Sequence, residues 1–211
     1  MPDLNVLHRA ILNGDDKEAV AIVKKALSEG IDPMALINNY MIPAMDETGK
    51  RFEAHEYFVP ELLLSARAMK RALELLQPLL LARGAQPTGR VVIGTVKGDL
   101  HDIGKNLVAT LLEGAGFEVI DLGTDVPPER FIEEVNAKNA NIIALSTLLT
   151  VTLPAMRMTV EAISQAGLRD RAKIMVGGAP VTREYAEIIG ADGYGENASV
   201  AVSVARTLIS L

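Results

Sequence analysis

The residues best equipped for chemistry sit in one short run, Lys97-Gly98-Asp99-Leu100-His101-Asp102-Ile103-Gly104-Lys105-Asn106. His101 offers an imidazole nitrogen that can bind a metal. Asp99, two residues earlier, offers a carboxylate that can accept the other ring N–H, which fixes the tautomer and makes the metal-bound nitrogen a stronger donor. A zinc site asks for three or four protein ligands. The chain has no Cys, and its only other histidines, His8 and His55, lie in a helical region far away in sequence, which disfavours a cage built from protein alone. A metal already held by a macrocycle needs only one or two axial ligands, and a single His suffices. Haem meets that condition too, so this chemistry alone does not name the metal.

Phosphate-binding readings of the same run fit poorly. A dinucleotide fingerprint needs three glycines in G-x-G-x-x-G spacing, and only Gly98 and Gly104 are present. A Walker loop needs four residues between its glycines; here five intervene, and Asn106 stands where a hydroxyl residue would hold magnesium. A receiver domain would use an Asp at a strand end, as Asp99 is, but its acidic partners and a late Lys are not both in place.

The run follows a predicted strand, and the chain around it divides into two periodicities. Residues 1–85 show helical spacing throughout: Leu4, Leu7, Ile11 and Leu12; then Val20, Val23 and Leu27 behind an Asp15 or Asp16 cap; then Met34, Ile37, Met41 and Met45 behind Asp32-Pro33, with a kink expected at Pro43. A fourth helix opens at Pro60 and runs to about Leu81, with Leu63, Leu64, Met69, Leu73 and Leu76 as its apolar residues. Four helices with short connections predict a small bundle. Gly and Pro crowd residues 83–89 without periodic apolar positions, so a domain boundary is placed there, between 1–85 and 86–211, and expected to act as a hinge. Beyond it, apolar runs at 91–96, 118–122, 142–145 and 174–176, with a weaker one at 193–194, alternate with amphipathic stretches at 105–113, 128–137, 154–165, 182–189 and 197–209. Near-continuous apolar strands alternating with helices predict a doubly wound five-stranded parallel sheet of Rossmann-like, flavodoxin type, binding ligands beyond the carboxyl ends of its strands.

Composition narrows the function classes. With 21 Lys and Arg against 27 Asp and Glu, dispersed along the chain, no nucleic-acid surface is expected. The absence of Cys excludes disulfides, thiolate metal sites, iron–sulfur clusters and thiol nucleophiles. No signal segment and no membrane span are visible, so the expectation is a soluble, cytoplasmic protein with no membrane partner.

The string Gly98-Asp99-Leu100-His101-Asp102-Ile103-Gly104 resembles the Asp-x-His-x-x-Gly signature of cobalamin-binding domains. These include the module of cobalamin-dependent methionine synthase and the corrinoid proteins of methanol, methylamine and methoxyarene methyl-transfer systems; the extension to Lys105-Asn106 is especially like the latter branch. The resemblance implies that His101 is the axial cobalt ligand, displacing the cofactor's own benzimidazole, and that Asp99 hydrogen-bonds it. It implies that Gly98, Leu100, Asp102, Ile103 and Gly104 border the cofactor. It also implies that Ser146, Leu148 and Thr150 line its nucleotide tail, and that Thr152 completes a His–Asp–hydroxyl relay at a position where methionine synthase has Ser. Gly177 and Gly178, and more loosely Ala198, are implied tail contacts. The helical half resembles the family's cap, with Phe58 the candidate shield over the cobalt's upper face.

In function, the resemblance implies a carrier and not a complete enzyme. It would accept a methyl group on the cobalt of a cobalamin or related corrinoid from a substrate:corrinoid methyltransferase. It would deliver that group to a corrinoid:acceptor methyltransferase serving tetrahydrofolate or a thiol coenzyme, and a reductive activase would restore the cofactor. A cobalamin-binding sensor is the alternative, although no basic recognition helix is evident.

Overall fold

In the computed structural model, residues 4–82 and 87–210 are described. They form two compact units. One comprises the N-terminal helices with Glu113–Gly116, and the other comprises Thr88–Leu112 with the residues from Phe117 onward. Residues 83–86, the centre of the expected hinge, lie outside the described residues.

The helical unit contains α1 (Asn5–Leu12), α2 (Asp16–Ser28), α3 (Pro33–Leu36), α4 (Ile42–Glu53) and α5 (Val59–Ala82), with a π-helical turn at Ile37–Met41 joining α3 to α4. The caps follow the sequence signals. Asp15 accepts from the Glu18 N–H at 2.9 Å, and Asp32 accepts from the Ala35 N–H at 3.1 Å. The disturbance expected at Pro43 occurs just upstream, as the π turn. Proline cannot donate to the carbonyl four residues back and its ring crowds that carbonyl, so the helix widens by a residue before it. Widening shifts the helical phase, and Met34, one turn earlier, ends up partly exposed while Met41 is fully buried. In α5 the buried row is Leu62, Ala66, Met69, Ala72 and Leu76, whereas Leu63 and Leu64 face outward. Apolar character alone did not reveal that phase.

The second unit holds β1 (Arg90–Thr95), α6 (Ile103–Gly114), β2 (Glu118–Asp121), α7 (Pro128–Lys138), β3 (Ile142–Ser146), α8 (Leu153–Gln165), β4 (Lys173–Gly177), α9 (Arg183–Ile188), β5 (Gly193–Gly195) and α10 (Ala198–Ile209). All strand pairs are parallel, in the order β2-β1-β3-β4-β5, the flavodoxin-like arrangement. Ile142, Ile143, Ala144 and Leu145 of β3 are all buried, so both faces of the central strands are covered. Phe131, Val135, Met156, Val160 and Ile163 pack with Val92, Ile143 and Val176 in one cluster. The edge strand β2 departs from the continuous apolar pattern, because Glu118 and Asp121 at its ends are exposed.

This order fixes where chemistry can occur. After β1 the chain leaves toward β2, and after β3 it leaves toward β4, so the loops beyond these neighbouring strands diverge and leave a crevice. Register places Thr95 beside Ser146, and the Val96 N–H continues the ladder to the Ser146 carbonyl at 3.0 Å. The run after β1 and the hydroxyl-rich run after β3 therefore emerge side by side.

Candidate functional site

Three loops converge on Asp99. After β1 the chain turns through Gly98, whose φ of +85° is a left-handed conformation that strains other residues. The Gly98 N–H donates to Asp125 Oδ1 at 2.7 Å, and the Asp125 N–H donates to the Asp99 carbonyl at 2.9 Å. Asp125, after β2, is itself left-handed with φ +54°. Short polar side chains tolerate that region best. Buried Thr95 at the end of β1 donates through Oγ1 to the His101 carbonyl at 2.9 Å, fixing the far side of the loop.

The Asp99 carboxylate is wholly buried. Oδ1 accepts from the His101 backbone N–H at 3.0 Å and from ring Nδ1 at 2.7 Å. Oδ2 faces the loop after β3. There the Leu148 N–H donates at 2.7 Å, the Leu149 N–H at 3.3 Å and Thr147 Oγ1 at 2.9 Å, while Thr152 Oγ1 lies at 3.1 Å. Burial alone would raise this carboxyl's pKa. The bonds from the Leu148 N–H, the His101 N–H and ring, and Thr147 outweigh burial and hold it far below the usual carboxylate range. Asp99 is therefore an anion with no proton to give, so the proton of the short contact sits on His101 Nδ1. Nε2 is the ring nitrogen outside that contact. Among the described residues that nitrogen has no hydrogen-bond partner, and the side chain is 50 % exposed.

The surroundings of His101 are apolar and open. Leu100, Ile103 and Val151 are each more than 70 % exposed, and Leu148 and Leu149 are partly so, all on the loops beyond β1 and β3 or the first turn of α6. Apolar side chains held outward around an open imidazole nitrogen mark a binding surface. Gly104 adds a second sign. A Cβ built there meets nothing within 4 Å, so the fold itself tolerates a side chain at this position. A bare imidazole nitrogen, an anchored tautomer, an apolar rim and open space at a glycine suit a broad, metal-bearing macrocycle with a free axial position.

The other anticipated residues fall into three groups. Asp102 precedes α6, its carbonyl accepting from the Asn106 N–H at 2.7 Å and its carboxylate from the Asn106 side-chain amide at 3.1 Å. Ser146 is half-buried at the end of β3, and Thr150 is exposed at the start of the 3-10 turn Thr150–Thr152; neither hydroxyl reaches Asp99. Gly178 is required by packing, since a Cβ there would lie 1.8 Å from the Thr147 carbonyl oxygen, and one on Gly177 would lie 2.8 Å from the Gly195 carbonyl oxygen. Ala198 opens α10 with its methyl buried, leaving only backbone to offer a ligand. Phe58 belongs to the helical unit. It is 62 % exposed, and its N–H donates to Glu61 Oε2 at 3.0 Å across the start of α5.

Thr147, Thr95 and Asp125 were not singled out by sequence. Thr147 is one of four hydroxyl residues between 146 and 152, and only its burial separates it from Thr150. Asp125 looks like an ordinary turn residue until β2 is paired beside β1. Lys105 was read only as part of the motif. Its side chain is 1 % exposed, and Nζ binds both carboxylate oxygens of Asp121 at 2.6 and 2.5 Å and Asn106 Oδ1 at 2.7 Å.

Comparison with known proteins agrees with this geometry. The chain matches B12 binding domain models over residues 89–203 and residues 4–77. It is 43 % identical over 202 residues to trimethylamine corrinoid protein 1 of Methanosarcina acetivorans, covering 95 % of this chain and 94 % of that protein. A crystal structure of a cobalamin-binding protein from Desulfitobacterium hafniense superposes with a TM-score of 0.82 at 34 % identity, covering 98 % of both chains. The methanol:cobalamin methyltransferase complex MtaBC of Methanosarcina barkeri gives a TM-score of 0.84 at 29 % identity, covering 97 % of this chain and 78 % of that one.

Proposed function

Because the chain belongs to the family of B12-binding corrinoid proteins, we propose that it is a methyl carrier whose His101 Nε2 is the axial ligand of a bound corrinoid's cobalt. When bound, the corrinoid supplies a metal centre that takes a methyl group from a donor and yields it to an acceptor; the protein binds, orients and tunes. The observation that carries the proposal is the pairing of a charged, fully buried Asp99 with a half-exposed imidazole whose outer nitrogen has no partner among the described residues.

Each residue's part is set by its place. Asp99 fixes Nδ1–H and so keeps Nε2 a donor. Thr152, beside Oδ2, would complete the hydroxyl side of this arrangement. Gly98, Leu100, Asp102, Ile103 and Gly104 would border the corrin, and the backbone and side chains at Ser146, Leu148, Thr150, Gly177, Gly178 and Ala198 would receive the tail.

Methyltransferases are the partners. One would load the carrier from a substrate and a second would unload it, with an activase restoring the reduced cofactor. The relatives' names cover trimethylamine and methanol systems, and the donor would be set by the loading partner.

The test is direct. Purified protein mixed with hydroxocobalamin is expected to acquire its colour, with the spectrum of a cofactor whose benzimidazole has been displaced. His101→Ala should lose that spectrum. An unchanged spectrum in His101→Ala would remove the proposal.

A further inference from the structure

The geometry points to Thr147, ahead of Thr152, as the hydroxyl that donates to Asp99 and thereby positions His101. The two hydroxyl oxygens lie 2.5 Å apart, a separation that requires a proton between them, since two bare oxygens so close would repel. The pair has two hydroxyl protons, so only one remains to reach outward. Through Thr147, the acceptor available to it is Asp99 Oδ2 at 2.9 Å. Through Thr152, it would meet the neutral Leu149 carbonyl at 2.9 Å before the carboxylate at 3.1 Å. A hydrogen bond to an ionised acceptor is about twice as strong as one to a neutral group, and the shorter route to that acceptor runs through Thr147. The order is then Thr152 to Thr147 to Asp99 to His101. Thr152 orients Thr147 and does not itself serve the carboxylate.

Burial supports the same order. Thr147 is fully inaccessible, so no water can replace its proton, and its position is locked by the Thr147 N–H donating to the Gly177 carbonyl at 3.3 Å and by Gly178, where a side chain would strike the Thr147 carbonyl. Gly177 and Gly178 thus act on the site through Thr147. Thr147 is a positioning residue and touches no ligand. Its importance for methyl transfer rests on His101 being the axial ligand, but the hydrogen-bond order itself does not.

The test reads His101 in the cofactor-free full chain through the 15N chemical shift of Nδ1 in histidine-labelled protein at neutral pH. Thr147→Val removes the donor to Oδ2, which makes the carboxylate more basic and draws the Nδ1 proton toward it, so the Nδ1 signal should move downfield. Thr147→Ser should restore the native position, a rescue that a purely steric role would not give. Thr152→Val should leave the signal near its native position. If the valine variant does not fold, Thr147→Ala removes the same proton and serves in its place. A Thr152→Val shift as large as that of Thr147→Val, or no shift on loss of the Thr147 hydroxyl, overturns the order. Wild-type protein that bound no hydroxocobalamin would defeat the carrier reading while leaving the nitrogen signal to decide this one.

Discussion

At the scale of residues, what distinguishes the site is an anion kept charged where burial opposes charge. Asp99 accomplishes this by collecting donors from two loops, and the consequence is a pH signature. Its native pKa is depressed relative to an unfolded value of about 3.9, so it stabilises the fold fully above that value and loses the contribution as pH falls toward its native pKa. Denaturant unfolding of wild type and Asp99→Asn should therefore show wild type the more stable at pH 7, with the gap narrowing below about pH 4. A gap independent of pH would mean that the charge is not what matters. The same variant should bind hydroxocobalamin about 10- to 100-fold more weakly, the usual cost of losing a carboxylate behind a metal-ligating His. Sequence made His101 and Asp99 legible because their two-residue spacing and loop position are local. Thr147 and Asp125 were not legible, since their roles depend on which strands lie beside β1.

At the scale of elements, two features hold the loop that carries His101. One is the Lys105–Asp121 pair, which ties the first turn of α6 to the end of β2 with its cation buried and its anion partly exposed. The asymmetry gives a directional expectation. Asp121→Asn strands a buried charge and should cost about 3 kcal/mol. Lys105→Met leaves an aspartate that water can reach, and should cost less; denaturant midpoints of the two variants would compare them. The other feature is glycine of two kinds. Gly178→Ala should destabilise the fold, because its Cβ would collide with the Thr147 carbonyl, whereas Gly104→Ala meets open space. Gly104→Ala should leave stability within about 0.5 kcal/mol of wild type while weakening hydroxocobalamin binding. Equal affinity in that variant would mean that the corrin does not approach this position. The α/β elements were readable from alternating apolar runs. The phase of α5 and the π turn before Pro43 were not, because a helix with apolar residues on several sides does not announce which side its neighbours will cover.

At the scale of the whole molecule, a helical unit and a parallel α/β unit account for the described residues, and the topology does the selecting. Strand order β2-β1-β3-β4-β5 sets the loops after β1 and β3 at the reversal point, so a motif read along one loop becomes a site only when the second loop closes over Asp99. That dependence explains why the sequence could pair His101 with Asp99 while the full set of donors around Asp99 needed the fold. Among the described residues no helix is long and apolar enough to cross a membrane. The carrier role asks the α/β unit to hold one ligand bond steady while partner methyltransferases come and go.

Electron paramagnetic resonance of the protein loaded with cobalamin and reduced to the cobalt(II) state tests that bond most directly. Nitrogen in the axial position splits the cobalt lines into triplets when it is 14N and doublets when it is 15N. Protein labelled with 15N-histidine and loaded with unlabelled cofactor should show doublets that His101→Ala abolishes. Triplets persisting in the labelled protein would place the cofactor's own benzimidazole on the metal and contradict His101 as the axial ligand.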